Sequence, residues 1–359
     1  RKTMAKKATR IKTTAQVYEK TNITADIEPH LIELSYTDYL EGQSDELVVQ
    51  FEDIRGKWIR AWFPTQGDKL RGAIGYKGEQ LVDIGAFEID EVEYQYRPSN
   101  ITLRALSTGV SKNQRTLKPK AYEHTTLAQV IAVVAKRLKL KVVGEIKHIP
   151  IARITQYQER DLEFLARLGR EYHHSFKVVN DQLVFTAKEK LGESESVLTI
   201  EEQDTISISL RDRISSTAKE VNISGYDANG KKVIKKSKKA KAKREDVAQA
   251  AKSSEDSLQI VTRGESQEQI DARGEAALAE QNDDQQSGTI KLWGNPKLVA
   301  GNTILLRNLG VFSGKYLIKS SRHTIYRNQG YTTTIDVRLL EFIADDLVTQ
   351  SMEKHNANA

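Results

Sequence analysis

The feature that most constrains the fold is a change of hydrophobic period near Thr126, with strand-like sequence on both sides of it. Before that point, Leu47, Val49 and Phe51 alternate with more polar neighbours, which is the pattern of a half-buried strand. Further strand-like runs, separated by Gly, Pro and Asn, lie at 69–76, 86–96 and 100–107. The chain therefore begins with a β-rich region.

After Thr126 the apolar residues follow a helical period. Thr126 with Gln129 forms a capping-box signature, which is typical of a helix start. One apolar stripe follows at Leu127, Val130, Ile131, Val134 and Leu138. A second short helix is predicted over 159–172, and a hairpin over 175–187 with its turn at 180–181. These elements predict a small α/β domain.

Strand patterns then return and are interrupted once. Alternation is found at 197–210 and 220–226, and a helix over 266–282 begins with a second capping box, Ser266 with Gln269. The last predicted strands lie at 288–292, 303–306, 315–324 and 330–342. This order does not match a repeating βαβ sheet, so the predicted fold class is α+β, mainly β.

This reading divides the chain into seven consecutive regions. They are a basic N-terminal arm (1–30), a first β module (31–114), the small α/β domain (115–195), joining strands (196–230), a basic and polar linker (231–265), a helix with a second β module (266–345) and a C-terminal tail (346–359).

The positive charge is concentrated in two segments. The formal net charge is +6, but residues 231–244 hold nine Lys or Arg and no acid, and residues 1–12 hold six more. Without both segments, 40 basic residues face 49 acidic ones, so the remaining body is acidic. The basic run has no aromatic residue for base stacking, which favours a solvated connector over a nucleic-acid site.

The sequence indicates no enzyme chemistry. It contains no cysteine, which excludes disulfides and thiolate metal sites, and it lacks a P-loop. The segment 310–314 is interpreted as a hairpin turn rather than a serine nucleophile elbow, and the pair His173-His174 as structural or solvent-facing. We therefore predict no catalytic residue, metal ligand or cofactor. No apolar run is long enough to span a membrane, and the N-terminus lacks the apolar region of a signal peptide.

Three groups of residues are candidates for contacts with partners. Aromatic side chains in a segment flanked by basic residues could anchor a partner or pack in a core, and they are Trp58, Trp62 and Phe63. The apolar stripe of the last helix offers Ile270 and Leu278. The basic run offers Lys235, Lys236, Lys238 and Lys239, for an anionic surface.

Three stretches resemble the phage late control gene D family, the baseplate hub proteins of contractile tails, which are related to the N-terminal part of VgrG spikes. They are SDELVVQFED (44–53), the helix–helix–hairpin block (126–146 and 154–185) and GVFSGKYLIKSSRHTIYRNQGYTTTIDV (310–337). The most specific part is QYQERD at 156–161, with Phe164 and Leu165 after it.

The resemblance implies a virion structural protein, part of a contractile injection system, with two tail-tube-like β-barrel modules and an interposed α/β domain. It implies a homotrimer of pseudo-sixfold symmetry that joins a sixfold tail tube to a threefold central spike. The implied partners are itself, the spike, the tube or tube-initiator protein and other baseplate proteins, with DNA only as passing cargo.

The implied location is the tail baseplate of a phage or phage-tail-like particle, assembled in the bacterial host cytoplasm. Two alternatives stay open at this stage: a spike-core protein of a type VI-like secretion system, and a baseplate-associated cell-wall hydrolase.

Overall fold

The structure is a computed structural model that describes residues 14–16, 27–65, 67–76, 78–107, 119–179, 181–213, 220–227, 232–239, 257–263 and 266–345. Most of the predicted basic arm, the C-terminal tail, much of the predicted linker and the turn residues 180 and 228–230 lie outside the described residues. None of the helices in the described part has the length and apolarity that a membrane crossing requires.

Strands dominate the described residues, so the prediction of a mainly β, α+β chain is confirmed. The helices are α1 (Leu127–Leu138), α2 (Asp161–Glu171), α3 (Lys188–Leu191) and α4 (Gln267–Asp283). The first ten strands are β1 (Thr14–Gln16), β2 (Leu31–Tyr39), β3 (Glu46–Glu52), β4 (Lys69–Ile74), β5 (Val82–Gln95), β6 (Asn100–Ser107), β7 (Lys120–Thr126), β8 (Lys141–Val143), β9 (Pro150–Gln156) and β10 (His174–Val179). The others are β11 (Gln182–Ala187), β12 (Leu198–Ile200), β13 (Thr205–Asp212), β14 (Glu220–Asp227), β15 (Lys232–Lys239), β16 (Ser257–Arg263), β17 (Gln286–Trp293), β18 (Thr303–Leu306), β19 (Gly314–Tyr326) and β20 (Gly330–Phe342).

One large sheet contains the strands from both ends of the chain. Its main path is β1-β4-β5-β6-β3-β2-β19-β20-β17-β13, and β18 joins it beside β19 with β12 on its other side. The antiparallel pairing of β2 with β19 joins the two predicted β regions by backbone hydrogen bonds. These two edges are therefore used inside the subunit and are not open to a partner.

Ten of these strands form two sets with the same topology. The first β set has the spatial order β4-β5-β6-β3-β2, and the second β set has the order β18-β19-β20-β17-β13. In both sets the order is third, fourth, fifth, second, first along the chain, and every neighbouring pair is antiparallel. The chain thus contains one five-stranded arrangement twice.

The two sets also share two of their three register irregularities, while the third of each, at Ile84 in the first β set and at Leu340 in the second, has no counterpart. The register between the first and second strands shifts at Ile32 in the first β set and at Ile206 in the second. The register between the fourth and fifth strands shifts at Asp90 and at Lys319. Because a β-bulge is a specific local feature, two bulges at matching places support the equivalence of the sets strand by strand.

When positions are counted from these bulges, buried residues of the first β set correspond to buried residues of the second. Val49 of β3 corresponds to Ile290 of β17, and Leu103 of β6 corresponds to Ile335 of β20, and all four side chains are fully buried. Each β set accordingly has a hydrophobic core, and Ile325 and Tyr331 of the second β set add to the core of the first.

The α/β unit (119–195) separates the two sets and has a third core. Its predicted helix start is confirmed, because Thr126 and Gln129 each bond the other's backbone N–H. The predicted stripe from Leu127 to Leu138 is buried. The hairpin is also confirmed, with Phe176 opposite Phe185 in the pairing of β10 with β11.

Two strand predictions need correction. The run 197–210 is not one strand but two, because a 3-10 turn at Glu202–Asp204 separates β12 from β13. The region 231–265 is not simply a connector, since β15 and β16 pair with the two edges of β14 in a separate three-stranded sheet. Charge repulsion predicted an extended segment, but it does not prevent backbone pairing with a neighbouring strand. The domain boundaries drawn from the sequence stay predictions.

Helix α4 packs between this small sheet and the α/β unit. Ser266 caps it by accepting a hydrogen bond from the Gln269 N–H, as predicted. The second half of the predicted capping box is wrong, because the Gln269 side chain turns into the α/β unit. There its carbonyl accepts from the Ala152 N–H and its amide donates to the Tyr172 hydroxyl. A fully buried amide thus connects α4 to that unit.

Candidate functional site

The aromatic segment near Trp58 divides between core and surface. Trp58 is almost fully buried and stacks on Phe51, with ring centroids 4.8 Å apart, so its prediction as a partner contact is wrong. Trp62 is half-buried against Trp58. Phe63 is 51% exposed, and Ile54, earlier in the same segment, is 80% exposed. The loop therefore retains an exposed apolar surface around Phe63, and a partner for it stays a prediction.

The helix candidates are not on the surface. Ile270 is fully buried and Leu278 is 7% exposed, because α4 is covered on one side by the α/β unit and on the other by the small sheet. The prediction that they contact another subunit is therefore wrong. An apolar helical stripe cannot by itself distinguish an internal partner from an external one.

The lysine candidates lie on one strand. Lys235, Lys236, Lys238 and Lys239 are all in β15, and their backbones pair with β14. Their role towards an anionic partner stays a prediction.

A buried lysine joins three parts of the subunit. Lys188, at the start of α3, is 3% exposed. Its Nζ lies 2.8 Å from Glu41, in the loop after β2, and 2.8 Å from Glu280 on α4. Burial lowers the pKa of Lys188, but the two carboxylates outweigh it and raise the pKa overall. The ammonium group therefore stays charged and paired.

His173 extends the same cluster. Its Nε2 lies 2.9 Å from Asp283 and its Nδ1 lies 3.1 Å from Glu189, and Asp283 also contacts Arg338 of β20. Burial lowers the pKa of His173, but Asp283 and Glu189 raise it by more. We call Glu41, His173, Lys188, Glu280, Asp283 and Arg338 the charged junction. It connects the α/β unit, α4 and both β sets.

The charged junction also brings possible metal ligands together. His173, Glu280 and Asp283 offer ligand atoms within 4.8 Å of one another. Lys188 and Arg338 already contact the two carboxylates, so two fixed positive charges oppose a divalent cation there. The arrangement is better suited to holding α4 in place than to binding a metal.

His174 has different partners from its neighbour. Its Nδ1 lies 2.7 Å from the Tyr172 carbonyl, and its Nε2 accepts from the Lys147 N–H. Burial lowers the pKa of His174 to about 4. The structural interpretation of the histidine pair is therefore confirmed, because both rings are buried and bonded within the subunit.

A second buried ion cluster fixes the α/β unit to the first β set. Lys177 of β10 lies 2.5 Å from Asp38 and 2.7 Å from Asp45. Asp38 also accepts from the Ala300 N–H, and Asp45 from the Tyr39 N–H. One cation thus faces two carboxylates. Burial, with the charge of Asp38, raises the pKa of Asp45 to about 6 although Lys177 acts against it.

This geometry predicts a pH effect that Asp45→Asn should remove. Because the folded-state pKa of Asp45 lies above its ordinary value of 3.8, the folded protein binds this proton more tightly than the unfolded chain. The contribution of Asp45 to the unfolding free energy should therefore fall between about pH 4 and about pH 6. In denaturant unfolding from about pH 4 to about pH 6, the unfolding free energy of Asp45→Asn, whose amide can still accept from Tyr39, should fall less or rise more than that of the unsubstituted protein. An equal change in the two proteins would contradict the assignment.

The most specific stretch of the family resemblance forms a buried polar network. Gln156 is fully buried and accepts from Arg137 of α1 at 2.9 Å. Its amide donates to Asp161 at the start of α2, and Arg137 donates to the same carboxylate at 2.8 Å. These residues hold the two helices together, which is a role in packing.

The serine at 313 is also structural. Its Oγ donates to Asp345 at 2.7 Å and accepts from the Leu309 N–H. The segment connects β18 to β19, which pair antiparallel, so the prediction of a hairpin turn is confirmed. The bonds of Ser313 close this connection.

Comparison with known proteins identifies the class. The family model for the phage tail baseplate hub (GPD) matches residues 95–329. The chain belongs to the phage tail baseplate hub family.

Particular relatives agree with this class. A probable baseplate hub protein of Escherichia phage 186 is 31% identical over 166 residues, which cover 46% of this chain and 42% of that protein. The match thus spans less than half of the phage protein.

Solved structures share the fold at low sequence identity. A tail protein from Neisseria meningitidis MC58 has a TM-score of 0.62 and 11% identity, covering 92% of this chain and 96% of that one. A type VI secretion system component of Escherichia coli has a TM-score of 0.52 and 13% identity, covering 94% and 80%. At these identities the likeness shows the fold alone.

Proposed function

We propose that the protein is a structural baseplate hub that assembles as a homotrimer of pseudo-sixfold symmetry. The observation that carries the proposal is the duplication of one five-stranded arrangement in the first and second β sets. Three copies of a chain with two equivalent sets supply six similar units around one axis. Such a ring matches a sixfold tube on one side and a threefold spike on the other.

The differences between the two β sets support the part of this proposal that gives the ring threefold symmetry towards the spike. The first and second strands of the first β set are joined by a short loop, 40–45, whereas the corresponding strands of the second are separated by β14, β15, β16 and α4. The α/β unit also occurs once per chain. A trimer therefore presents these parts three times and the β sets six times.

The proposed partners are a central spike, the tail tube or its initiator and other baseplate proteins, with DNA only as passing cargo. The proposed place is the particle's tail baseplate. The role is structural rather than enzymatic, which agrees with the packing roles of Ser313 and the Gln156 network. Release of sugar or peptide from peptidoglycan by the purified protein would contradict it.

We expect light scattering over a concentration series to show a species of three times 40.5 kDa. Electron microscopy of that species should give end-on class averages with six similar densities around an open centre. If the chain stays monomeric alone, the measurement is repeated with the candidate spike protein. A stable dimer or tetramer would contradict the proposal, because neither matches threefold to sixfold symmetry.

A further inference from the structure

The junction between the two β sets shows how one set adds to the next. In β2 and β19, Thr37 lies opposite Arg322, and the Arg322 Nε donates to the Thr37 Oγ1 at 3.3 Å. One residue along, Tyr36 lies opposite His323, and the two rings stack with centroids 5.9 Å apart. The first strand of one set thus pairs with the second half of the fourth strand of the other.

The same two edges recur elsewhere in the chain, and there no strand of the described residues pairs with them. β13, the first strand of the second β set, ends the sheet path. β5, the fourth strand of the first β set, pairs with β4 only up to Glu88, so its second half has β6 on one side and no described strand on the other. Unpaired strand edges of this kind are templates for pairing with another chain.

Because the bulges occupy equivalent positions, the register of the internal β2–β19 pairing can be transferred to the open edges of β13 and β5. Asp90 corresponds to Lys319, so Glu93 corresponds to Arg322. Ile206 corresponds to Ile32, so Arg211 corresponds to Thr37. If the open edges pair as the internal edges do, Glu93 lies opposite Arg211.

We propose that β13 of one subunit pairs antiparallel with the second half of β5 of the next subunit, with Glu93 opposite Arg211. This seam rests on the proposed trimer and extends the internal β2–β19 junction around the ring. In the same register Glu91 lies opposite Arg213 and Tyr94 lies opposite Leu210, as Tyr36 lies opposite His323 inside the chain.

The side chains on the two edges are complementary. Glu91 and Glu93 are exposed on β5, and Arg211 and Arg213 are exposed on the other edge, so each proposed pair joins opposite charges. Opposite charges directly across an antiparallel pair stabilise it, and like charges destabilise it. Tyr94 is 41% exposed in the single subunit and would become covered by Leu210.

The interface is head-to-tail, because it joins two different edges. A head-to-tail contact gives a closed ring only when its rotation divides a full turn, and otherwise it gives an open filament. A closed ring of three chains has an internal junction and a seam for each chain, so it requires that these two contacts together turn by a third of a full circle.

Engineered disulfides test the register directly, since the chain has no cysteine of its own. Mixing the single variants Glu93→Cys and Arg211→Cys under oxidising conditions should give a crosslinked dimer on a non-reducing gel. The double variant should give a covalently closed trimer. As a matched control, Thr37→Cys with Arg322→Cys in one chain should form the equivalent bond without a change in mass.

A register control and a charge reversal complete the test. Glu93→Cys mixed with Ser209→Cys, two residues out of register on the same face, should crosslink much less. Glu93→Arg should raise the concentration needed for trimer formation by about tenfold or more, and adding Arg211→Glu should restore it.

The possible results distinguish a failure of the proposed seam from a failure of the proposed trimer. A trimer that forms no Glu93–Arg211 crosslink while the internal control forms its bond would overturn the seam alone, as would equal crosslinking out of register. A chain that stays monomeric, with or without spike protein, and forms no crosslink would overturn the seam and the proposed trimer together.

Discussion

Replacing Val130 by Asp should abolish cooperative folding of the α/β unit. Val130 is 1% exposed on the inner face of α1, in the core that α1 shares with α2 and the hairpin. A carboxylate there would be buried without a partner, which costs several kcal/mol, a large share of the stability of a domain of this size. Circular dichroism melts should lose the transition of this unit.

Val133 supplies a control in the same helix. Its side chain is 44% exposed, so Val133→Asp adds the same charge and the same change of helix propensity at a solvated position. We expect its unfolding free energy to lie within about 0.5 kcal/mol of that of the unsubstituted protein. If Val130→Asp melts like Val133→Asp, the packing of α1 described here is wrong.

Replacing Lys188 by Met should destabilise the subunit by about 1–3 kcal/mol at neutral pH, because Glu41 and Glu280, which are 36% and 40% exposed, lose their shared cation but keep part of their hydration. Met is close to Lys in size, so the loss of stability reflects the missing charge rather than a cavity. Chemical denaturation should show a lower midpoint.

Lys190, two residues further along, is the matched control. Its ammonium pairs with Glu193 at the surface, with a side chain 45% exposed. Surface ion pairs contribute about 0–1 kcal/mol, so Lys190→Met should have little effect. Equal effects of the two substitutions would contradict the claim that the junction holds the parts of the subunit together.

Local periodicity was sufficient to predict much of the secondary structure. The capping box at Thr126, the stripe of α1 and the hairpin of β10 with β11 all depend on residues within one or two turns or strands of each other. Such signals depend on residues that are close together along the chain, so they can be recognised from the sequence without knowledge of the fold. The same holds for β18 and β20, whose predicted limits match the structure.

Which neighbours a given side chain contacts in the folded protein could not be predicted in the same way. Trp58 and Ile270 have side chains that suit a core or an interface equally well, and only their burial inside the subunit decides between these roles. Gln269 shows the same limit for a polar residue, since its side chain leaves the helix cap for the buried Tyr172 hydroxyl. In each case the deciding neighbour is distant in sequence.

The sequence by itself determined the order of β, α/β and β regions, the helix starts and the absence of cysteine chemistry, because these depend on composition and local spacing. Only the tertiary structure decided that the β regions are two copies of one arrangement, joined through β2 and β19, and that β15 is a strand. Strand order and register depend on contacts between residues up to about 290 positions apart, such as Tyr326 and Glu33. The two copies are alike in hydrogen bonding and burial rather than in residue identity, so their likeness is visible only in the fold.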